Sequence, residues 1–176
     1  MNSIGEADPG ITPFRVCFVC AGNICRSPMA AVVFAGLVDA AGLSDRVEVT
    51  SAGTGDWHVG EHADHRTVTA LQLRGFDASS HRAKQFDADR FPEYDLVVAL
   101  DRSHDRILRT WATTEADRSK IHLLLGFDRS QAGKLDVPDP YYSDAQMFDT
   151  VLDMIDHACR ALFRQLEPAL QQGATP

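Results

Sequence analysis

No stretch of this chain is apolar for long enough to cross a membrane. The longest runs, such as Asp95-Leu-Val-Val-Ala-Leu100, fall far short of the roughly 20 residues that a spanning helix needs. The amino terminus, Met1-Asn-Ser-Ile-Gly-Glu-Ala-Asp8, has no basic start and no apolar core, so it is not read as a secretory signal. A cytoplasmic location and no membrane partner are expected by default. There is no repeat, no low-complexity segment and no G-x-x-x-x-G-K-S/T, which excludes a nucleotide-hydrolysing P-loop. Positive charge is in deficit. The net charge of −8 argues against nucleic-acid binding, although a few backbone amides and one arginine can still hold a phosphate locally. Cysteine is scarce, with four in the chain, and three of them (Cys17, Cys20 and Cys25) fall within nine residues. That is no disulfide scaffold, and in a chain without a signal such a cluster points first to metal, redox or nucleophilic chemistry. A zinc site is disfavoured, because no second C-x-x-C or H-x₃₋₅-H follows at a finger-like spacing.

What is present suffices for one domain. The 176 residues are 44% hydrophobic, enough for a proper core. A domain over 14–168 is expected, with flexible tails at 1–13 and 169–176. Phe14-Arg-Val-Cys-Phe-Val-Cys20 reads as a buried strand. A helix follows, with Ser27 as its cap and Pro28 in its first turn, stopping near Gly42. Strands are expected at Val47–Ser51, Leu96–Leu100 and Ile121–Leu125, and helices from about Ala63 to Arg74 and after a capping Ser103. A last helix begins at Ser143, which forms a capping-box pattern with Gln146. Its face is marked by Phe148, Val151, Leu152, Ile155, Cys159, Leu162 and Leu166. Near-continuous apolar strands alternating with helices predict an α/β fold: a single-domain four-stranded parallel sheet with helices on both faces. Ligands bind such sheets beyond the carboxyl ends of the strands, where strand order reverses, and that rule points at Cys20 onward.

Cys20-Ala-Gly-Asn-Ile-Cys-Arg26-Ser27 places a cysteine, five residues, then arginine and serine at a helix start. The spacing alone says little; a buried strand before it and a helix after it make it specific. Such a loop aims backbone N–H groups at one spot, where the helix dipole adds positive potential. Cys20 would sit in that field beside Arg26, the setting in which a thiol becomes a nucleophile. Arg26 can grip two phosphoryl oxygens, and the cradle can hold transition-state charge. Asp139 lies in a proline-framed loop and is the best candidate for a proton donor. Cys17 and Cys159 read as core. Three residues apart on a strand, Cys17 and Cys20 face opposite sides, which argues against a thioredoxin-like pair. Asp101 ends the third strand, and reads equally well as an orienter of Arg26 or as a plain cap.

The stretch Phe18-Val-Cys-Ala-Gly-Asn-Ile-Cys-Arg-Ser-Pro28 resembles the phosphate-binding loop of the low-molecular-weight protein tyrosine phosphatase family. Thr50-Ser-Ala-Gly-Thr-Gly-Asp-Trp57, Ser80-His-Arg-Ala83, Val98-Ala-Leu-Asp101 and Val137-Pro-Asp-Pro-Tyr-Tyr142 extend the resemblance. Gly55-Asp-Trp-His-Val-Gly60 is most similar to its actinobacterial branch. The resemblance implies a metal-free, cofactor-independent phosphoric monoester hydrolase acting on phosphotyrosine-containing proteins through a cysteinyl-phosphate. In that reading Cys20 is the nucleophile, Arg26 binds the phosphoryl group, and Asp139 is the general acid and base. Ala21, Gly22, Asn23, Ile24 and Cys25 wrap the phosphate, while Trp57, Tyr141 and Tyr142 wall the cleft. Asn23, Ser27, Ser51 and His81 supply supporting hydrogen bonds. Cys25 is either a plain loop residue or, as the resemblance implies, a resolving thiol for oxidised Cys20. A monomer is expected, with a tyrosine kinase as a further partner.

Two rivals share parts of this pattern. An arsenate reductase on the same fold needs relay cysteines, and the segment from Ser79 to Leu100 has none. A non-catalytic phosphoprotein-binding module would have no need for Cys20, Arg26 and Asp139 together.

Overall fold

The computed structural model describes residues 10–131 and 133–173. Of the expected tails at 1–13 and 169–176, residues 1–9 and 174–176 lie outside the described residues. Strands β1 (Phe14–Cys20), β2 (Val47–Gly53), β3 (Leu96–Ala99) and β4 (Ile121–Leu123) form one parallel sheet in the order β2-β1-β3-β4. The chain steps outward from β1 to β2, then returns to the other side of β1. The order therefore reverses between β1 and β3, and a crevice opens at their carboxyl ends.

Alternation along β1 divides the core. Val16, Phe18 and Cys20 face one layer, whereas Cys17 and Val19 face the other. The first layer packs under α1 (Arg26–Ala40) and α5 (Ala145–Gln171), with α2 (His65–Gln72) beside them. The second layer is covered by α3 (Arg102–Trp111) and a 3-10 segment at Ala88–Glu93, through Phe86, Phe91, Tyr94 and Leu108. A one-turn helix α4 (Glu115–Arg118) leads into β4. The helices thus cover both faces, as the apolar strands predict. The opposite facing of Cys17 and Cys20 also holds.

Six of the seven apolar positions expected on α5, from Phe148 to Leu162, are buried, and Leu166 packs partly against the core. That helix runs past Pro168 to Gln171, three residues beyond the expected domain end. Among the described residues no helix is long and apolar enough to cross a membrane.

The expected caps are displaced. The cap position of helix α1 is Cys25 rather than Ser27, with no side-chain bond to the helix, and α3 is capped by Asp101, whose side chain accepts from the N–H groups of Ser103 and His104. Helix α5 starts from Asp144, one residue after Ser143. In each case a nearby side chain either reaches the free N–H groups better or, for Ser27, the serine is engaged elsewhere.

Phe34 binds the α1–α5 layer together. Its ring is fully buried, 5.5 Å from Phe18 and 6.0 Å from Phe163 between centroids. Phe34→Ala is expected to cost about 3–5 kcal/mol by leaving a cavity that this packed layer cannot close. Urea denaturation checks it; a loss under about 1 kcal/mol would mean that the layer collapses around the gap.

Candidate active site

The turn from β1 into α1 is held by one residue in an unusual conformation. Asn23 has φ +58°, the left-handed region that asparagine tolerates better than most residues. It is fully buried, and every polar group of its side chain is used. Its Nδ2 donates to Ser27 Oγ at 2.8 Å and Ser51 Oγ at 3.0 Å, while its Oδ1 accepts from Lys84 N at 3.0 Å. Its backbone oxygen accepts from His81 Nε2 at 2.7 Å, which makes Nε2 the protonated ring nitrogen. Burial lowers the pKa of His81, favouring the neutral ring that this arrangement uses. The sheet edge crowds the loop from behind: a Cβ at Gly53 would lie 2.6 Å from the Ala21 carbonyl oxygen, so only glycine fits there.

Ser27 stands 2.9 Å from Cys20 Sγ. Because Asn23 Nδ2 can only donate, Ser27 Oγ accepts there, and its one O–H is left to face the sulfur or the Ala52 carbonyl 3.4 Å away. This is why Ser27 does not cap α1. The cap position, Cys25, makes no side-chain bond to the helix, and the first turn carries no acidic residue. Helices α2, α3, α4 and α5 are all capped by the side-chain oxygen of Asp64, Asp101, Thr114 or Asp144. Helix α1 alone leaves its amino-terminal N–H groups to whatever occupies the cleft.

Arg26 is 4% exposed and half engaged. Its Nη1 donates to Asp101 Oδ2 at 2.8 Å and to the Val137 carbonyl at 2.9 Å. Among the described residues its Nε and Nη2 have no hydrogen-bond partner, which leaves one edge of the guanidinium for an anion. Asp101 therefore fills both roles left open by the sequence, capping α3 and orienting Arg26. Asp139 Oδ2 lies 3.7 Å from Arg26 Nη2, and its Oδ1 accepts from Tyr141 N at 3.2 Å. That carboxylate is about half exposed at the cleft mouth.

Cys20, Arg26 and Asp139 line a single cleft of about 310 Å³ with Ala21, Gly22, Ile24, Cys25, Trp57, Tyr141 and Tyr142. All the residues expected to touch a ligand are thus gathered except Asn23, which lies beneath the loop with Ser27, Ser51 and His81 as support. His58 was missed. It also lines the cleft, closes over Gly22, and bonds Glu61 through Nδ1 at 2.7 Å. Its signal was its place between Trp57 and Gly60. Cys25 is buried. Its thiol is pushed up to about 12 by burial and by the Asp64 carboxylate, so it stays protonated and is a poor attacking thiol. Cys17 and Cys159 are fully buried core thiols, raised above their ordinary range by desolvation. The arrangement can hold a tetrahedral oxyanion over a sulfur nucleophile, with a carboxyl group at hand for the leaving atom.

The model of the family described as low molecular weight phosphotyrosine protein phosphatase matches residues 15–172. The chain belongs to this family. It is 51% identical to a low molecular weight protein-tyrosine-phosphatase of Streptomyces coelicolor over 92% of this chain and 98% of that protein. It is 46% identical to low molecular weight protein-tyrosine phosphatase A of Mycobacterium tuberculosis, over 92% of this chain and 96% of that one. Both relatives fit the actinobacterial branch. Among solved structures, a protein tyrosine phosphatase of Entamoeba histolytica superposes with a TM-score of 0.83 at 31% identity, over 89% of this chain and 98% of that one. The family's single-domain parallel sheet is the fold described above.

One titratable group lies behind the site. His104 is buried with Nδ1 3.4 Å from Asp101 Oδ1, and that nitrogen has no hydrogen-bond partner among the described residues. Burial pushes its pKa down from 6.5 to about 4. The unfolded chain therefore takes up the proton first as pH falls. The stabilising difference is present above about pH 6.5 and lost progressively as pH falls to about 4, a change of about 3 kcal/mol at most. Thermal melts of the native chain and His104→Asn at pH 7 and pH 4.5 test this. The variant should lose less stability between the two, and an equal loss would remove His104 from the acid response.

Proposed function

We propose that this chain is a protein-tyrosine phosphatase that hydrolyses phosphotyrosine in proteins through a cysteinyl-phosphate on Cys20. The observation that carries the reading is the convergence on one sulfur of a free arginine edge, an uncapped helix terminus and a carboxyl group. The phosphoryl group sits in the loop 21–25, with Nε and Nη2 of Arg26 on two of its oxygens. Cys20 Sγ attacks phosphorus, the bond from phosphorus to the aryl oxygen breaks, and Asp139 gives that oxygen a proton. Water then attacks phosphorus while Asp139 takes its proton, the S–P bond breaks, and phosphate leaves with the thiolate restored. Loop N–H groups and Arg26 stabilise the equatorial oxygens in both steps. Trp57, Tyr141 and Tyr142 offer flat walls for an aryl ring, which supports an aryl over an alkyl phosphate. We assign this activity to a catalytic domain expected over 14–168 and carried by α5 to Gln171, working in the cytoplasm as a monomer, with a tyrosine kinase supplying its substrates.

Cys20→Ser should abolish turnover of an aryl phosphate while equilibrium binding of inorganic phosphate persists, because the cradle remains and the nucleophile is gone. A variant that keeps even a tenth of native turnover would sink the covalent route. Asp139→Asn should lower kcat/KM by about 10²–10⁴-fold on phosphotyrosine, and by less on an aryl phosphate with a more acidic leaving group. Equal losses on the two substrates would mean that Asp139 shapes the loop and is not the acid.

A further inference from the structure

The carboxyl group of Asp139 sits on a loop, and a proton donor must be held to a fraction of an ångström to serve a leaving oxygen. Pro138 and Pro140 stiffen that loop, but neither fixes where it stands relative to the phosphate loop. Arg66, on the first turn of α2, spans the two. Its Nη2 donates to the Tyr141 carbonyl at 2.9 Å, and its Nη1 to the Ser143 carbonyl at 3.0 Å. Tyr141 in turn donates its N–H to Asp139 Oδ1. The guanidinium lies over the Phe148 ring, 4.5 Å from its centroid, so the side chain is gripped on its face as well as its edges.

The other end of the link is as firm. Asp64 is the cap of α2, and its Oδ1 accepts from Arg66 N at 2.9 Å and Arg66 Nε at 3.0 Å. Its Oδ2 accepts from Arg66 Nη2 at 2.9 Å. The backbone N–H of Asp64 donates to the carbonyl of Ile24, inside the phosphate loop, at 2.9 Å. A path of hydrogen bonds and backbone therefore runs from the Ile24 carbonyl through Asp64 and Arg66 to the Tyr141 carbonyl, and across the backbone of Tyr141 from its N–H to the Asp139 carboxylate.

We propose that Arg66 is a positioning residue for the general acid, setting the distance between the Asp139 carboxyl and the phosphate loop. It touches neither substrate nor phosphate. Its planar fork makes four hydrogen bonds to one carboxylate and two carbonyls, one more than the three N–H groups of a lysine ammonium can supply. Without the fork, two loop carbonyls lose their donor and Asp139 loses its fixed station. The inference rests on the reading of Asp139 as the acid, so the experiment must separate the two.

The test compares the native chain, Arg66→Lys, Asp139→Asn and the double variant on phenyl phosphate and on p-nitrophenyl phosphate, whose leaving group needs less help. Orthovanadate inhibition reports on the phosphate loop. Arg66→Lys is expected to lower kcat/KM for phenyl phosphate by about 10-fold or more, with a clearly smaller loss on p-nitrophenyl phosphate and nearly unchanged vanadate inhibition. In the Asp139→Asn background it should cost almost nothing further, since residues that act through one another are not additive. If Asp139→Asn discriminates between the substrates but Arg66→Lys lowers both equally, or the two losses multiply, the role of Arg66 is overturned. If Asp139→Asn itself shows no discrimination, the acid assignment falls and takes this inference with it. Should Arg66→Lys fail to fold, Arg66→Gln, which keeps a planar N–H donor, is read by the same criteria.

Discussion

The left-handed backbone at Asn23 is the constraint on which the rest of the site depends. A five-residue loop that must leave a buried strand and enter a helix cannot turn back around an anion with ordinary φ values alone. Asparagine is among the few residues that accept this conformation, but tolerance is only half of its role. Glycine would fit the angle but remove the bonds that Asn23 makes with Ser27, Ser51 and Lys84 N, a cost of about 1–3 kcal/mol for each group left unsatisfied. One side chain thus ties β1, β2, α1 and the segment that carries His81 into a single cradle. The loop's shape is set before any ligand arrives, as a site that stabilises charge without reorganising needs.

Electrostatics follow the same economy. The chain as a whole is acidic, yet the cleft is built for an anion. Its positive potential comes from a few fixed groups: the free edge of Arg26 and the uncapped start of α1. Arg26 can stay buried because Asp101 and the Val137 carbonyl take one of its nitrogens, leaving the rest of the fork to the ligand. Asp101 does this from the second residue beyond β3, at the reversal in strand order where the crevice opens. Sheet topology and local charge therefore meet at one guanidinium.

Several features were legible in the residues because they are local. Strand β1 was read to its exact bounds, and the α5 stripe from Phe148 onward was read correctly, since burial on one face imprints a period on the sequence. The caps were not. Ser27, Ser103 and Ser143 each looked like a helix start, but capping is decided by which oxygen reaches a free N–H, and Asp101 and Asp144 reach further. Ser27 was claimed by Cys20 and Asn23, partners that only the folded loop brings to it.

The residues Cys20 to Ser27, their place after an apolar strand and the framing of Asp139 by prolines are what the sequence by itself contributes to the chemistry proposed for this protein. These are covalent neighbours, and their spacing survives any fold that keeps a strand before and a helix after. Only the tertiary structure decided that Asp101 both caps α3 and orients Arg26, that Cys25 is buried and protonated, and that His58 covers Gly22. The same holds for Arg66, joined to loop carbonyls 75 and 77 residues away in the chain. Such contacts depend on a few tenths of an ångström between segments that are distant in sequence. No local pattern encodes that distance; the packing of α2 and α5 against one sheet does.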